Sequence, residues 1–145
     1  MLIAAYQDQV NSVRMAATRT LQPLARVLGV AWVRAKLLPK LEELYNAEGS
    51  SYLQRITVLY GVRDLSMHAD LVELAHELLP LVLRSLNEDK VPNVRFVAAQ
   101  VIQDALPVLD RSKISASIKP ALAAAVESAD GDVKFFAAAA LDRAV

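Results

Sequence analysis

Asp89-Lys-Val-Pro-Asn-Val-Arg95, continuing as Phe96-Val-Ala-Ala-Gln-Val-Ile-Gln-Asp-Ala105, reads as the entry and body of one helix. Counted from Val94, the apolar residues Val97, Ala98, Val101, Ile102 and Ala105 fall at offsets 3, 4, 7, 8 and 11. That spacing is a single apolar stripe on a helix of 3.6 residues per turn. Arg95 directly follows the first residue of the stripe, and a basic residue recurs at that place through the chain. The markers are Arg14, Arg55, Arg95 and Lys134, separated by 41, 40 and 39 positions. A period near forty is the signature of stacked helix pairs.

The same offsets select Val13, Ala16, Ala17, Thr20, Leu21 and Leu24 in the first copy. In the fourth they select Val133, Phe136, Ala137, Ala140, Leu141 and Ala144. The second copy is looser: Gln54, Thr57, Val58, Gly61, Val62 and Leu65 open on a polar residue and include a glycine that costs a helix roughly 1 kcal/mol. Small residues at the centre of every stripe let neighbouring helices approach closely. A second series, Pro39, Pro80 and Pro120, repeats at intervals of 41 and 40. These prolines lie in the partner helices, predicted over about 31–46, 71–86 and 114–128, where each should bend its helix over the inner one. Ser12, Asn93 and Asp132, two residues before their markers, are predicted as N-caps, with Ser50 or Ser51 serving the second unit. Gly29 and Asp110-Arg-Ser112 break the chain between pairs.

The pattern predicts an all-α solenoid, a right-handed superhelical stack of antiparallel helix pairs with about three and a half repeats. The units divide at 1–29 (a partial repeat, mainly inner helix), 30–69, 70–112 and 113–145. Met1-Leu-Ile-Ala-Ala has no basic lead-in and reads as the end of a helix cut from something longer.

Composition narrows the function. Hydrophobic residues make up 54% of the 145 and charged residues 22%, ample material for a continuous core. Sixteen basic residues balance sixteen acidic ones, which argues against a nucleic-acid partner, since phosphate backbones call for a basic excess on one face. With no cysteine, thiolate metal sites, disulfides and cysteine nucleophiles are excluded. No apolar run approaches the roughly 20 residues of a spanning helix, so no membrane partner is expected. His68 and His76 stand eight apart near Asp70 and Glu73, a spacing that matches no metal site. Nucleophile triads, phosphate-binding glycine loops and paired carboxylates in an apolar setting are all missing. The reading is therefore a non-catalytic chain without metal or cofactor.

Asp8-Gln-Val-Asn-Ser-Val-Arg14 and Asp89-Lys-Val-Pro-Asn-Val-Arg95 share an aspartate six residues ahead of an arginine that follows a valine, and this resembles the HEAT repeat. The resemblance implies a ladder of aspartates and arginines between successive turns. The fourth unit departs with Ser128 six before Lys134, and the second with Gly49 there and Glu48 beside it. The order of segments across essentially the whole chain further resembles the C-terminal end of the scaffolding (A, or 65-kilodalton regulatory) subunit family of protein phosphatase type 2A. Carrying this are Val13-Arg-Met-Ala-Ala-Thr18, Trp32 with Leu37-Leu-Pro-Lys40, Tyr52-Leu-Gln-Arg-Ile-Thr57, Val91-Pro-Asn-Val-Arg-Phe-Val-Ala98 and Asp130-Gly-Asp-Val-Lys-Phe-Phe-Ala137. It implies roughly the last three to four of fifteen repeats. It also implies a cytoplasmic chain, with the nucleus as a second compartment. The implied partners are the phosphatase catalytic subunit, held through turns within repeats, and regulatory subunits, held through N-terminal repeats outside this chain.

The residues themselves point to the same edge of the stack. Tyr52 with Leu53, and Val91 with Pro92, put apolar groups on turns that solvent alone does not require, and an exposed aromatic beside an arginine is the composition of an interface anchor. The partner-binding set is therefore Tyr52, Leu53, Arg55, Pro92, Asn93, Val94, Arg95, Asp132 and Lys134. Against this stands a plain structural reading: Arg14 and Arg95 as ladder rungs, Asn93 and Asp132 as caps first. Trp32 covers the core between outer helices, and Phe96, Phe135 and Phe136 are packing groups. Tyr52 has the plain reading of packing on the next turn, and among the arginines Arg55, lacking an evident rung partner, is the one for which partner contact weighs as much as a structural role. The rival function is a HEAT adaptor of another system, a transport receptor or chromosome-organising type, that takes a peptide or helix in its concave groove.

Overall fold

The computed structural model describes residues 1–145, and every regular element in it is helical. The chain runs α1 (Leu2–Tyr6), α2 (Asn11–Arg19) and α3 (Leu21–Leu28), after which Gly29, at φ +88°, turns it into the first full outer helix. We number that helix α4; it consists of Val30–Trp32, a π-helical turn Val33–Leu37, and Leu38–Asn46. Its inner partner is α5 (Tyr52–Ser66). The next pair is α6 (Val72–Glu88, led by the 3-10 turn Ala69–Leu71) and α7 (Pro92–Ala105, trailed by the 3-10 turn Leu106–Val108). The last is α8 (Arg111–Lys113, π turn Ile114–Ile118, Lys119–Val126) with α9 (Gly131–Arg143).

Inner helices α2, α5, α7 and α9 pack in sequence, and outer helices α4, α6 and α8 form a second layer over them. The stripe explains the order. In α7 all six stripe residues are buried, and burying each Val or Ile contributes roughly 1.5–3 kcal/mol. A single cluster of 39 buried residues runs from Tyr6 to Ala144, so the stack shares one core. The first copy is thinner: Val13, Ala16 and Thr20 are exposed, and Thr20 and Pro23 split the inner helix into α2 and α3.

Three expectations change. The N-caps lie two residues earlier than Ser12, Asn93 and Asp132, which sit inside the first helical turn. Asp130 accepts from the amides of Asp132 and Val133 at 3.1 and 3.0 Å, and the Asp8 and Asp89 carboxylates receive the amides of Val10 and Val91 at 2.8 and 2.9 Å. Ser51, as expected, caps α5 by accepting from Gln54. The prolines also differ among themselves. Pro39 and Pro120 each follow a π turn, whose wider ring absorbs the carbonyl that a proline cannot satisfy, whereas α6 runs through Pro80 as one helix. Trp32 and Phe135 are 43% and 65% exposed, so neither is a simple core-covering group.

Gly61 has a reason that its own helix does not supply. A Cβ there would lie 2.7 Å from the hydroxyl of Tyr6 and 3.0 Å from Leu21, so the glycine makes room for a fully buried tyrosine of the preceding unit. Burial, with the Asp64 carboxylate nearby, pushes the Tyr6 hydroxyl far above its ordinary pKa.

Candidate partner-binding ridge

Four turns link outer to inner helices: 7–10, 47–51, 89–91 and 127–130. Each leads into the basic marker of the following inner helix, and two of the markers, Arg55 and Arg95, tie neighbouring turns together. Arg55 reaches forward to the next turn, where its Nε and Nη2 donate to the two carboxylate oxygens of Asp89 at 2.8 and 2.9 Å. Its Nη1 donates to the Ser50 carbonyl at 2.7 Å, and Tyr45 adds its hydroxyl to Asp89 at 2.8 Å. Arg95 likewise reaches forward, donating to the Ser128 hydroxyl at 3.3 Å and back to the Leu86 carbonyl at 2.8 Å.

The ladder therefore runs from the arginine of one unit to the acceptor of the next, not between residues of one motif. This supplies Arg55 with the rung partner that sequence spacing did not reveal, and it makes Ser128 a working substitute for aspartate. It also corrects the reading of Arg55 as a free anchor: its side chain is 17% exposed and that of Asp89 6%. The titration of the cluster agrees with its geometry. The bond to Asp89 raises the Arg55 pKa further. Burial would raise that of Asp89, but the bonds from Arg55, the Val91 amide and Tyr45 outweigh it and hold the carboxylate below its usual range. Burial, chiefly, pushes Tyr45 up to about 12.

The other nominated residues divide by exposure. Tyr52 and Leu53 are 43% and 40% exposed at the start of α5, an apolar pair raised on the second turn. Pro92, Asn93, Asp132 and Lys134 are exposed on the third and fourth turns. Pro92 sits in the first turn of α7, where its missing N–H costs nothing. Val94 is fully buried and belongs to the core, so it leaves the surface set. Arg95 is half-buried and committed to its rung. The structure thus brings Tyr52, Leu53, Pro92, Asn93, Asp132 and Lys134 to one edge of the stack, with Arg55 and Arg95 beneath them as struts.

Spacing did not disclose the opposite face. Phe96 and Phe136 stack with centroids 5.3 Å apart, and Phe135 meets Phe136 edge-on at 5.2 Å. Phe135 projects into an open groove of about 480 Å³ between inner helices, lined also by Tyr60, Gln100, Gln103 and Arg143 and crossed by the Arg63–Asp104 ion pair at 2.6 Å.

The HEAT repeat family model matches residues 78–109, which cover the second half of α6, the Asp89 turn and α7 with its 3-10 extension. Fold and match together show an all-α stack of helix pairs that carries a HEAT repeat in α6 and α7, an architecture whose extended surfaces commonly serve as scaffolds for other proteins. No curated protein matches the chain. No helix is long and apolar enough to cross a membrane.

Proposed function

We propose that this chain is a scaffold segment of a protein phosphatase type 2A holoenzyme and that it holds the catalytic subunit on its turn ridge without itself catalysing a reaction. The observation that carries the site is the exposed Tyr52–Leu53 pair, set on a turn whose neighbours are locked by the Arg55–Asp89 rung. Apolar anchors on a rigid base bind with little ordering cost. The resemblance in segment order supports the partner. It also supports a cytoplasmic and nuclear setting and regulatory subunits bound by repeats outside this chain. The measurement is affinity for purified catalytic subunit. Tyr52→Ala with Leu53→Ala should weaken binding by at least tenfold while helicity and melting stay unchanged, since neither side chain is in the core. Undiminished affinity overturns the site. Arg55→Ala is a poor probe, because it removes a strut.

The aromatic groove favours a second reading. Phe135, 65% exposed beside Gln100 and Gln103, is suited to a helix or peptide bound on the concave side, as in a HEAT adaptor of a transport or chromosome-organising system. Loss of binding in Phe135→Ser with an intact response in the Tyr52/Leu53 variant would favour it.

A further inference from the structure

The ladder has one empty rung. Arg55 and Arg95 each bond to the following turn at the residue six before the next marker, Asp89 for Arg55 and Ser128 for Arg95. For Arg14 that position is Gly49, which has no side chain and a φ of +76°. Arg14 is nonetheless as deeply placed as its counterparts, with 6% of its surface exposed. It donates Nη1 to the carbonyls of Asp8 and Gln9 at 2.8 and 2.9 Å and Nη2 to the Asn11 side chain at 3.2 Å. No carboxylate pairs with it, and its Nε–H is buried with no acceptor at all. The unused edge of the guanidinium, Nε with one N–H of Nη2, is the edge with which Arg55 grips Asp89.

Arg14 also forms part of the wall of a cleft of about 230 Å³ between the first two turns, facing Ser51, Leu53 and Gln54 at the N-terminal end of α5. The one acidic residue in the lining, Asp8, takes up the Val10 amide and does not pair with Arg14; a buried guanidinium, the positive end of a 15-residue helix and an apolar rim containing Leu53 therefore leave room for a further negative group carried on a protein surface. We propose that this cleft receives an aspartate or glutamate side chain of the partner that docks on the ridge, and that Arg14 turns its unused guanidinium edge into the cleft to pair with that carboxylate, as Arg55 pairs with Asp89 from within. The inference rests on the reading of the ridge as the partner face and adds the chemistry of one contact to it.

Two variants of the whole chain separate the possibilities. Gly49→Asp supplies the missing carboxylate from within, and Gly49→Asn supplies the same shape without charge; both residues tolerate positive φ, and a Cβ at Gly49 meets nothing within 4 Å. The first readout is the Arg14 Nε–Hε resonance during titration with hexaglutamate, with hexaglutamine as the neutral control. A saturable shift is expected in the wild-type chain and in Gly49→Asn, and none in Gly49→Asp, whose resonance starts already displaced. No shift in the wild type, or equal shifts in wild type and Gly49→Asp, overturns the proposal. The second readout is capture of purified phosphatase catalytic subunit, which Gly49→Asp should weaken at least tenfold and Gly49→Asn less than twofold. Equal capture by both variants overturns the proposal. Failure of the wild-type chain to bind that subunit overturns the partner's identity alone, because the peptide titration still decides the cleft.

Discussion

At the scale of single residues, the oddities of the second unit become legible only when its neighbours are in place. Gly61 looks like a weak point in a helix, yet it is the socket for the Tyr6 hydroxyl, and nothing in the local pattern ties residue 61 to residue 6. Gly61→Ala should therefore destabilise the fold by about 1–3 kcal/mol through overpacking, even though alanine is the better helix former. Tyr6→Phe removes the nearest clashing atom, so the double variant should recover part of that loss; thermal melting of the four proteins checks it. Additive losses would mean that Gly61 is kept for another reason. Val94 is a related case: its place beside Pro92 and Asn93 suggested a surface role, but its stripe offset makes it core, and the offset decides.

Among elements, stripes, period and turn positions could be read from residue types, because each depends on spacing along one helix. The direction of the ladder could not. Asp89 and Arg95 share a motif, but Asp89 bonds Arg55, 34 residues earlier, and only the stacking of turns brings them together. The caps are hidden for a similar reason: several polar residues crowd each turn, and the one whose oxygen faces the free amides depends on backbone geometry. The π turns before Pro39 and Pro120, and the unbroken α6 around Pro80, were equally hidden, since the three prolines look alike in sequence.

The Arg55–Asp89 rung has a pH signature of its own. Asp89 titrates below its unfolded value near 3.9, so its contribution to stability is complete above about pH 4 and is lost as pH falls through the lowered folded value. Tyr45, raised to about 12, contributes below its unfolded value near 10 and loses that contribution as pH rises through 12. Asp89→Asn should cost about 3 kcal/mol at neutral pH by leaving Arg55 unpaired, and should flatten the acid limb of stability below pH 4. Urea unfolding at several pH values tests both; an unchanged acid limb would show that the rung adds nothing to the stack.

For the molecule as a whole, one core threads helix pairs whose turns line up on one edge and whose inner helices line a groove on the other. The alignment of turns is legible in the sequence from their repeating polar residues, whereas the Phe96–Phe136–Phe135 cluster requires the stacking of α7 on α9. The central claim is that the ridge, not the groove, is the binding face. Amide hydrogen exchange of the chain with and without purified phosphatase catalytic subunit tests it most directly. The account predicts slowed exchange confined to the turns and first helical positions near 50–54, 89–93 and 128–132. Protection concentrated on the inner faces of α7 and α9 around Gln100, Gln103 and Phe135, with the turns unchanged, would contradict it.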